Sequence, residues 1–397
     1  MALKEQIAPT EIEHIAGIRH DLHAHPELGY EEHRTSGVVQ RELKAAGIEF
    51  VAGLAGGTGV VGYLPATVDA ASARTVALRA DMDCLPIMEN TGAPYASTVP
   101  GKMHACGHDG HTSILIGASR RLARTAERPN NVLLVFQPAE EGGAGGKKLC
   151  DEGVVAGKII GKPVDMMFGL HGFSFLKVGQ MATCTGPMLA AADWFTIEVR
   201  GQGGHAAMPN AGVDPIVVAS HIVTALQSIA SRNVSPLDSV VVTIGVVKAG
   251  TAHNVIPDTA TMVGTLRTLR QETRELGARR IGEICRNVAA AFGASAEVDF
   301  TYGYPVTHND ATAARHLRKV LSSAFPAGMV AEDVQPVMGG EDFSYYGQHV
   351  PACFYWLGLL NEGQDRYPNL HAPEFDFNDK ALPVGIQAMC ELALAPL

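Results

Sequence analysis

Apolar and polar positions along this chain change their spacing several times, and each change marks an element. Residues 11–47 mix apolar and charged side chains at helical spacing, with Gly47 as a plausible stop. TVALRADMD (75–83) is instead a nearly unbroken apolar run that ends in an acidic loop, the pattern of a buried strand. NVLLVFQPAEEGG (131–143) and DMMFGLHG (165–172) repeat it, one ending in carboxylates and the other in histidine. A helix is predicted from Ser113 to about Thr125. Strands alternating with helices predict an α/β fold whose mixed, mainly parallel sheet is flanked by helices. Polar groups past the strand ends stand where such sheets bind ligands.

The pattern changes near Thr185–Ala192. A strand over Trp194–Val199 and a helix near Pro215–Ser231 are followed by strands at Ser239–Val247 and Ala260–Leu266. A helix at Glu272–Phe292 and a strand at Ala296–Tyr302 complete the set. The order β-α-β-β-α-β is that of a ferredoxin-like unit. After it come a helix (Ala311–Ala324), a strand (Ala352–Gly358) and a last helix (Lys380–Leu394). The expectation is a discontinuous domain, 1–184 plus 305–397, carrying an inserted α+β domain, 185–304.

Composition narrows the function classes. With 397 residues, 46% of them apolar and 18% charged, the chain has ample material for two cores and is no disordered polymer. The net charge of −10 is dispersed, which argues against nucleic acid as a partner. MALKEQIAPTEIEHIAG carries charges where a signal peptide needs an apolar run, and nothing approaches the ~18 apolar residues of a membrane span. Seven cysteines (Cys84, Cys106, Cys150, Cys184, Cys285, Cys353, Cys390) are odd in number and widely spread, as in a reduced cytoplasmic protein.

MHACGHDGH (103–111) concentrates the candidate chemistry. On an extended segment Cys106 and His108 project to one face, and a thiolate beside an imidazole suits zinc or a similar metal. A buried free cysteine beside ordinary histidines is the bland alternative. Glu140 and Glu141 are adjacent at a strand end, so one carboxylate can bind metal while the other accepts a proton from water. His171 follows an apolar strand and His371 lies in a loop before the last helix. Two glycine-rich runs fail their motifs. GTGVVG (57–62) is followed by Pro65, which blocks the helix a dinucleotide needs, and reads as a hairpin or strand. EGGAGGKK (141–148) has Glu141 and Lys148 where a P-loop requires glycine and Ser/Thr. In RHDLHAHPELGYEE (19–32), His23 and His25 cannot face one site from a helix, and Pro26 breaks it; structural or rim roles are expected.

Seven motifs in order, MHACGHDGH, QPAEEGG, GLHG, GGHAAMP, HNVIPD, MGGEDFSYY and LHAPEF, resemble the hippuricase-type branch of the metallo-aminoacylase and carboxypeptidase family over nearly the whole chain. The resemblance implies two divalent metal ions per subunit bridged by the Cys106 thiolate, with His108, Glu141, His171 and His371 as the other ligands and Glu140 as general base. It implies that the inserted domain is a dimerising lid, making a homodimer or homotetramer, and that His205 serves the partner subunit's site. Asn254 and Arg267 match positions that bind the substrate carboxylate, and Gly339 and Gly340 fit a loop lining the same site. Where broader relatives have H-x-D, ADMD (80–83) offers Asp81 and Asp83, and Asp83 is read as support for a ligand. His104, Asp109 and His111 are assigned bracing roles.

The implied function is hydrolysis of the amide bond of N-acyl amino acids such as hippurate, with zinc, manganese, cobalt or nickel all admissible. Other readings are a dipeptidase or exopeptidase on the same scaffold, and a metal-dependent binding protein without catalysis. A cysteine hydrolase using Cys106 with His108 is disfavoured, because such pairs come from distant segments.

Overall fold

A computed structural model of the chain describes residues 7–332 and 334–397; the first six residues of the charged N-terminal stretch lie outside the described residues. The chain folds into two compact units, Met1–Gly186 with His308–Gln335 and Asp342–Leu397, and Pro187–Thr307 with Pro336–Glu341. Residues 305–307 and 336–341, expected in the larger domain from sequence, belong instead to the second unit.

The first five strands of the first unit are β1 (Glu49–Leu54), β2 (Gly59–Leu64), β3 (Thr75–Asp81), β4 (Asn131–Gln137) and β5 (Met166–Lys177). The eight-stranded sheet runs β1-β2-β4-β3-β5, then Ala352–Leu360, Met181–Thr183 and Val330–Glu332. Its centre is parallel: β3 pairs with β4 and β5, and β5 with Ala352–Leu360. Every residue of β3 and β4 is buried, which is why both read as continuous apolar runs. The GTGVVG run enters β2, which forms an antiparallel hairpin with β1.

Helices α1 (Pro9–Ala24), α2 (His33–Ala45), α3 (His108–Arg124) and α4 (Gly145–Asp151) belong to this unit. The 11–47 stretch is thus two helices, interrupted around Pro26. Ile15, Ile18 and Leu22 recur on the buried face of α1. Helix α3 starts at His108 rather than Ser113, because its first turn is polar and hides the apolar period. The last helix, Leu382–Leu394, packs on α3: Gly117 passes so close to Ile386 that a Cβ would lie 2.5 Å from its Cδ1.

The second unit has a four-stranded antiparallel sheet in the order Val240–Ala249, Thr259–Thr268, Ala191–Arg200, Ser295–Tyr304. Alternation along Ala191–Arg200 buries Phe195, Ile197 and Val199 in one core with Ile222 and Leu226 of helix Pro215–Leu226 and Ile281 of helix Gln271–Ala291. The first of these helices ends before Ser231, and a wider π turn takes Ile229–Asn233. All seven cysteines are buried, and none is joined in a disulfide. Among the described residues no helix is long and apolar enough to cross a membrane.

Candidate metal centre

The backbone, rather than strand alternation, brings the candidate ligands together. Gly107 adopts φ +88°, a left-handed turn that ends the segment of Cys106 and starts α3 at His108, so the two side chains do not share an extended face. Glu140 and Glu141 lie beyond β4, in a loop where Ala139 has φ +53°. His171 sits inside β5, which continues to Lys177, in register with Trp356 of the neighbouring strand. His371 has φ +67° and its backbone N–H donates to Ala105 O at 2.8 Å, which anchors its loop beside Cys106.

Two donor groups share Cys106. Cys106, His108 and His171 form one, Cys106, Glu141 and His371 the other, and within each the donor atoms lie within 4.8 Å of one another. Cys106 Sγ is 3.4 Å from His171 Nε2, and Glu141 Oε1 is 3.3 Å from His371 Nε2. Glu140 groups with His108 and Glu141 at the same spacing, and its Oε1 accepts from the Asp342 N–H at 3.4 Å. Asp83 braces both sides: His108 Nδ1 is 2.9 Å from its carbonyl and 3.2 Å from its Oδ1, while its Oδ2 accepts from Glu141 N–H at 2.9 Å.

The donor set fits a pair of divalent cations. His108 Nδ1 is held by Asp83, whereas Nε2 is buried with no hydrogen-bond partner, as a ligand nitrogen requires. Burial opposes an imidazolium there, yet Asp81, Asp83 and Glu141 push His108 up to about 10. A potential that draws a proton so strongly draws any cation. Burial, with Glu141 and Glu140, holds the Cys106 thiol well above its ordinary range, so its thiolate form calls for a compensating positive charge. Burial also works against the Glu141 carboxylate, but His371 and His108 outweigh it and lower its pKa.

Supporting residues surround the candidate ligands, and two of them, Arg79 and Asp342, are not among the candidates drawn from the sequence. Arg79, fully buried in β3, donates to Asp81 at 2.6 Å, Gln137 at 2.9 Å and Asp342 at 2.9 Å. An arginine inside a fully buried, mostly apolar strand signals obligatory acidic partners, and the sequence carries that signal. Asp81 in turn faces His111 Nδ1 at 2.7 Å, and His111 Nε2 accepts from Gly172 N–H at 2.8 Å, so the His111 tautomer is set with the proton on Nδ1. His111 thereby braces the β5 segment beside His171. Burial drives Asp342 up to about 6, against the pull of Arg79. His104 is buried, which pushes it down to about 4.

The remaining candidates lie in the second unit. His205 is exposed on a two-residue strand paired with Val255, and Ala206 N–H donates to Asn254 O at 3.1 Å, so His205 and Asn254 are neighbours. Arg267 Nε donates to Thr265 Oγ1 at 3.2 Å, and a Cβ on Gly340 would lie 3.2 Å from Arg267 Nη1. Gly339 accepts at its carbonyl from Ala190 N–H, 2.9 Å away.

With this geometry in hand, comparison with known proteins is specific. The family model of Peptidase family M20/M25/M40 matches residues 77–395. IAA-amino acid hydrolase ILR1-like 4 of Arabidopsis thaliana is 40% identical over 384 residues, 96% of this chain and 84% of that protein. N-acetylcysteine deacetylase of Bacillus subtilis is 39% identical, covering 96% of this chain and 97% of its own. Among solved structures, a Bacillus subtilis protein described as a dinuclear metal binding peptidase superposes with TM-score 0.83 at 34% identity, over 98% of each chain.

Proposed function

This chain belongs to Peptidase family M20/M25/M40 and is a metal-dependent amidohydrolase or peptidase, and we propose that it cleaves the amide bond of N-acyl amino acids, hippurate-like substrates among them. The observation that carries this reading is the pair of donor groups sharing Cys106, with Glu140 beside them. Cys106, His108, Glu141, His171 and His371 would hold two divalent ions, drawn from zinc, manganese, cobalt and nickel by availability. When bound, the ions supply an acidified water and a polarised scissile carbonyl.

The chain's own residues do the rest. Glu140 takes the proton of the attacking water and returns it to the departing amine nitrogen. The Asp342 N–H fixes one Glu140 oxygen, leaving the carboxylate aimed by its loop. Asp83 orients His108 and the Glu141 backbone together. His205, supplied by a second copy of the chain in a homodimer or homotetramer, donates to the tetrahedral oxyanion. Asn254 and Arg267 hold the free substrate carboxylate, and the Gly339–Gly340 backbone lines the same place. The His205 and carboxylate roles rest on the motif match of those positions.

The test is hydrolysis of N-benzoyl, N-acetyl and free-amine dipeptide substrates before and after chelation and metal return. Activity on the acylated substrates, lost and restored with the metal, is the expected outcome. Preference for free-amine dipeptides would favour a peptidase, the reading suggested by the description of the structurally similar Bacillus subtilis protein. No hydrolysis with two metals bound would leave a binding protein.

A further inference from the structure

The segment RHDLHAHPELGYEE (19–32) supplies none of the proposed ligands, yet its side chains end on both loops that do. Arg19 is fully buried. Its Nε donates to Asp109 Oδ2 at 2.9 Å, and Asp109 follows His108 in the first turn of α3. Its other nitrogens reach Asp376 and, at 3.3 Å, Asp379, which lie in the segment after His371. Tyr95 closes this grip: its ring lies 4.7 Å from the guanidinium, and its hydroxyl donates to Asp376 Oδ2 at 2.7 Å. Tyr367, just before His371, donates to the Asp376 carbonyl at 2.6 Å.

The far end of the segment holds the other loop. Glu32 Oε1 accepts from the Ala139 N–H at 2.8 Å, one residue before Glu140, while its Oε2 accepts from Thr58 Oγ1 at 2.7 Å. Gly29 packs so closely that a Cβ would lie 3.0 Å from Ala139 Cβ. The Tyr30 hydroxyl donates to the Gly143 carbonyl, beyond Glu141. Ala139 at φ +53° is a conformation an alanine rarely adopts unaided, so the loop depends on these outside contacts.

We propose that residues 19–32 are the positioning brace of the metal centre: Arg19 sets the His371 loop against the start of α3, and Glu32 sets the loop of Glu140. The proposal rests on the dinuclear hydrolase reading. Arg19 governs retention of the ion held by Cys106, Glu141 and His371, because a planar guanidinium with three carboxylate partners fixes that loop's path. Glu32 governs where the Glu140 carboxylate points, and so proton transfer rather than metal retention.

Cobalt(II) titration of the chelated full chain, followed by thiolate-to-cobalt absorption, reads metal occupancy without turnover. The wild type takes up two cobalt ions per chain. Arg19→Met and Asp376→Asn leave one ion at wild-type affinity and weaken the other roughly 10–100-fold. Glu32→Gln binds both normally, but its kcat on the best acyl amino acid falls roughly 10-fold or more at unchanged KM. If Arg19→Met does not fold, Asp376→Asn, whose carboxylate is partly exposed, carries that arm. Equal weakening of both ions in step with a lowered Tm overturns the proposal in favour of plain stability. So does wild-type affinity for both ions, or an unchanged kcat in Glu32→Gln. A wild type that takes up no cobalt overturns the metal reading and this brace with it, a result distinct from the others.

Discussion

At the scale of single residues, two of the proposed ligands, His108 and His171, already have their Nδ1 committed, to Asp83 and to the Gly172 carbonyl. At His108 this leaves Nε2 for a metal. Asp83→Asn should therefore weaken metal binding roughly 10–100-fold while leaving the fold intact, measured by equilibrium dialysis against zinc. Glu140→Gln should keep full metal content and lose roughly 10²–10⁴ in turnover, because the amide cannot accept the proton. His23 gives a pH prediction. Burial opposes its charged form, but the Asp109 contact at 2.8 Å and Glu89 raise it to about 9. With an unfolded value of ~6.5, its stabilisation is complete below that pH and is lost as pH rises through 9. The ceiling is about 3 kcal/mol. Urea unfolding at pH 6 and pH 9.5 should show a smaller difference for His23→Gln than for the wild type.

At the scale of elements, the parts most legible in the sequence are those whose period is unmixed. The helix over Ala311–Ala324 and the buried strands β3 and β4 are plain because one face, or both, is apolar throughout. The start of α3 is not legible, since His108 to Ser113 are buried for the sake of partners rather than hydrophobicity. Cys106 and His108 stand out by residue type, while the shared extended face expected of them does not form: Gly107 reverses the chain between them. The sequence flags Arg79 as a buried cation, but which distant groups Arg19, Arg79 and Asp342 meet stays hidden, because those partners lie 90, 263 and 205 positions away. Only folding brings such pairs together. The same packing predicts a sensitive point where α3 meets the segment after His371. A Cβ on Gly110 would lie 2.5 Å from Phe377 Cδ1, with no flexible tip to give way. Gly110→Ala should cost about 1–3 kcal/mol, read as a lower urea midpoint at unchanged m.

At the scale of the whole molecule, two units with separate hydrophobic cores share one chain, and the proposed metal ligands all belong to the first. A metal ion that binds the folded centre and not the unfolded chain adds about 2.7 kcal/mol at 100 times its Kd. Chelation should accordingly lower the thermal transition of the first unit and leave that of the second in place, as calorimetry with and without chelator would register.

The buried thiols give the molecule a built-in clock for such opening. Six of the seven, Cys84, Cys106, Cys150, Cys184, Cys353 and Cys390, lie in the first unit, and Cys285 alone lies in the second. An alkylating reagent meets none of them until its unit breathes, so mass spectrometry of the tagged peptides would time each unit's opening in a single experiment. Cys106 adds a second hand to that clock. Its tagging should stall whenever the centre is charged with metal, even while its neighbours in the same unit continue to react.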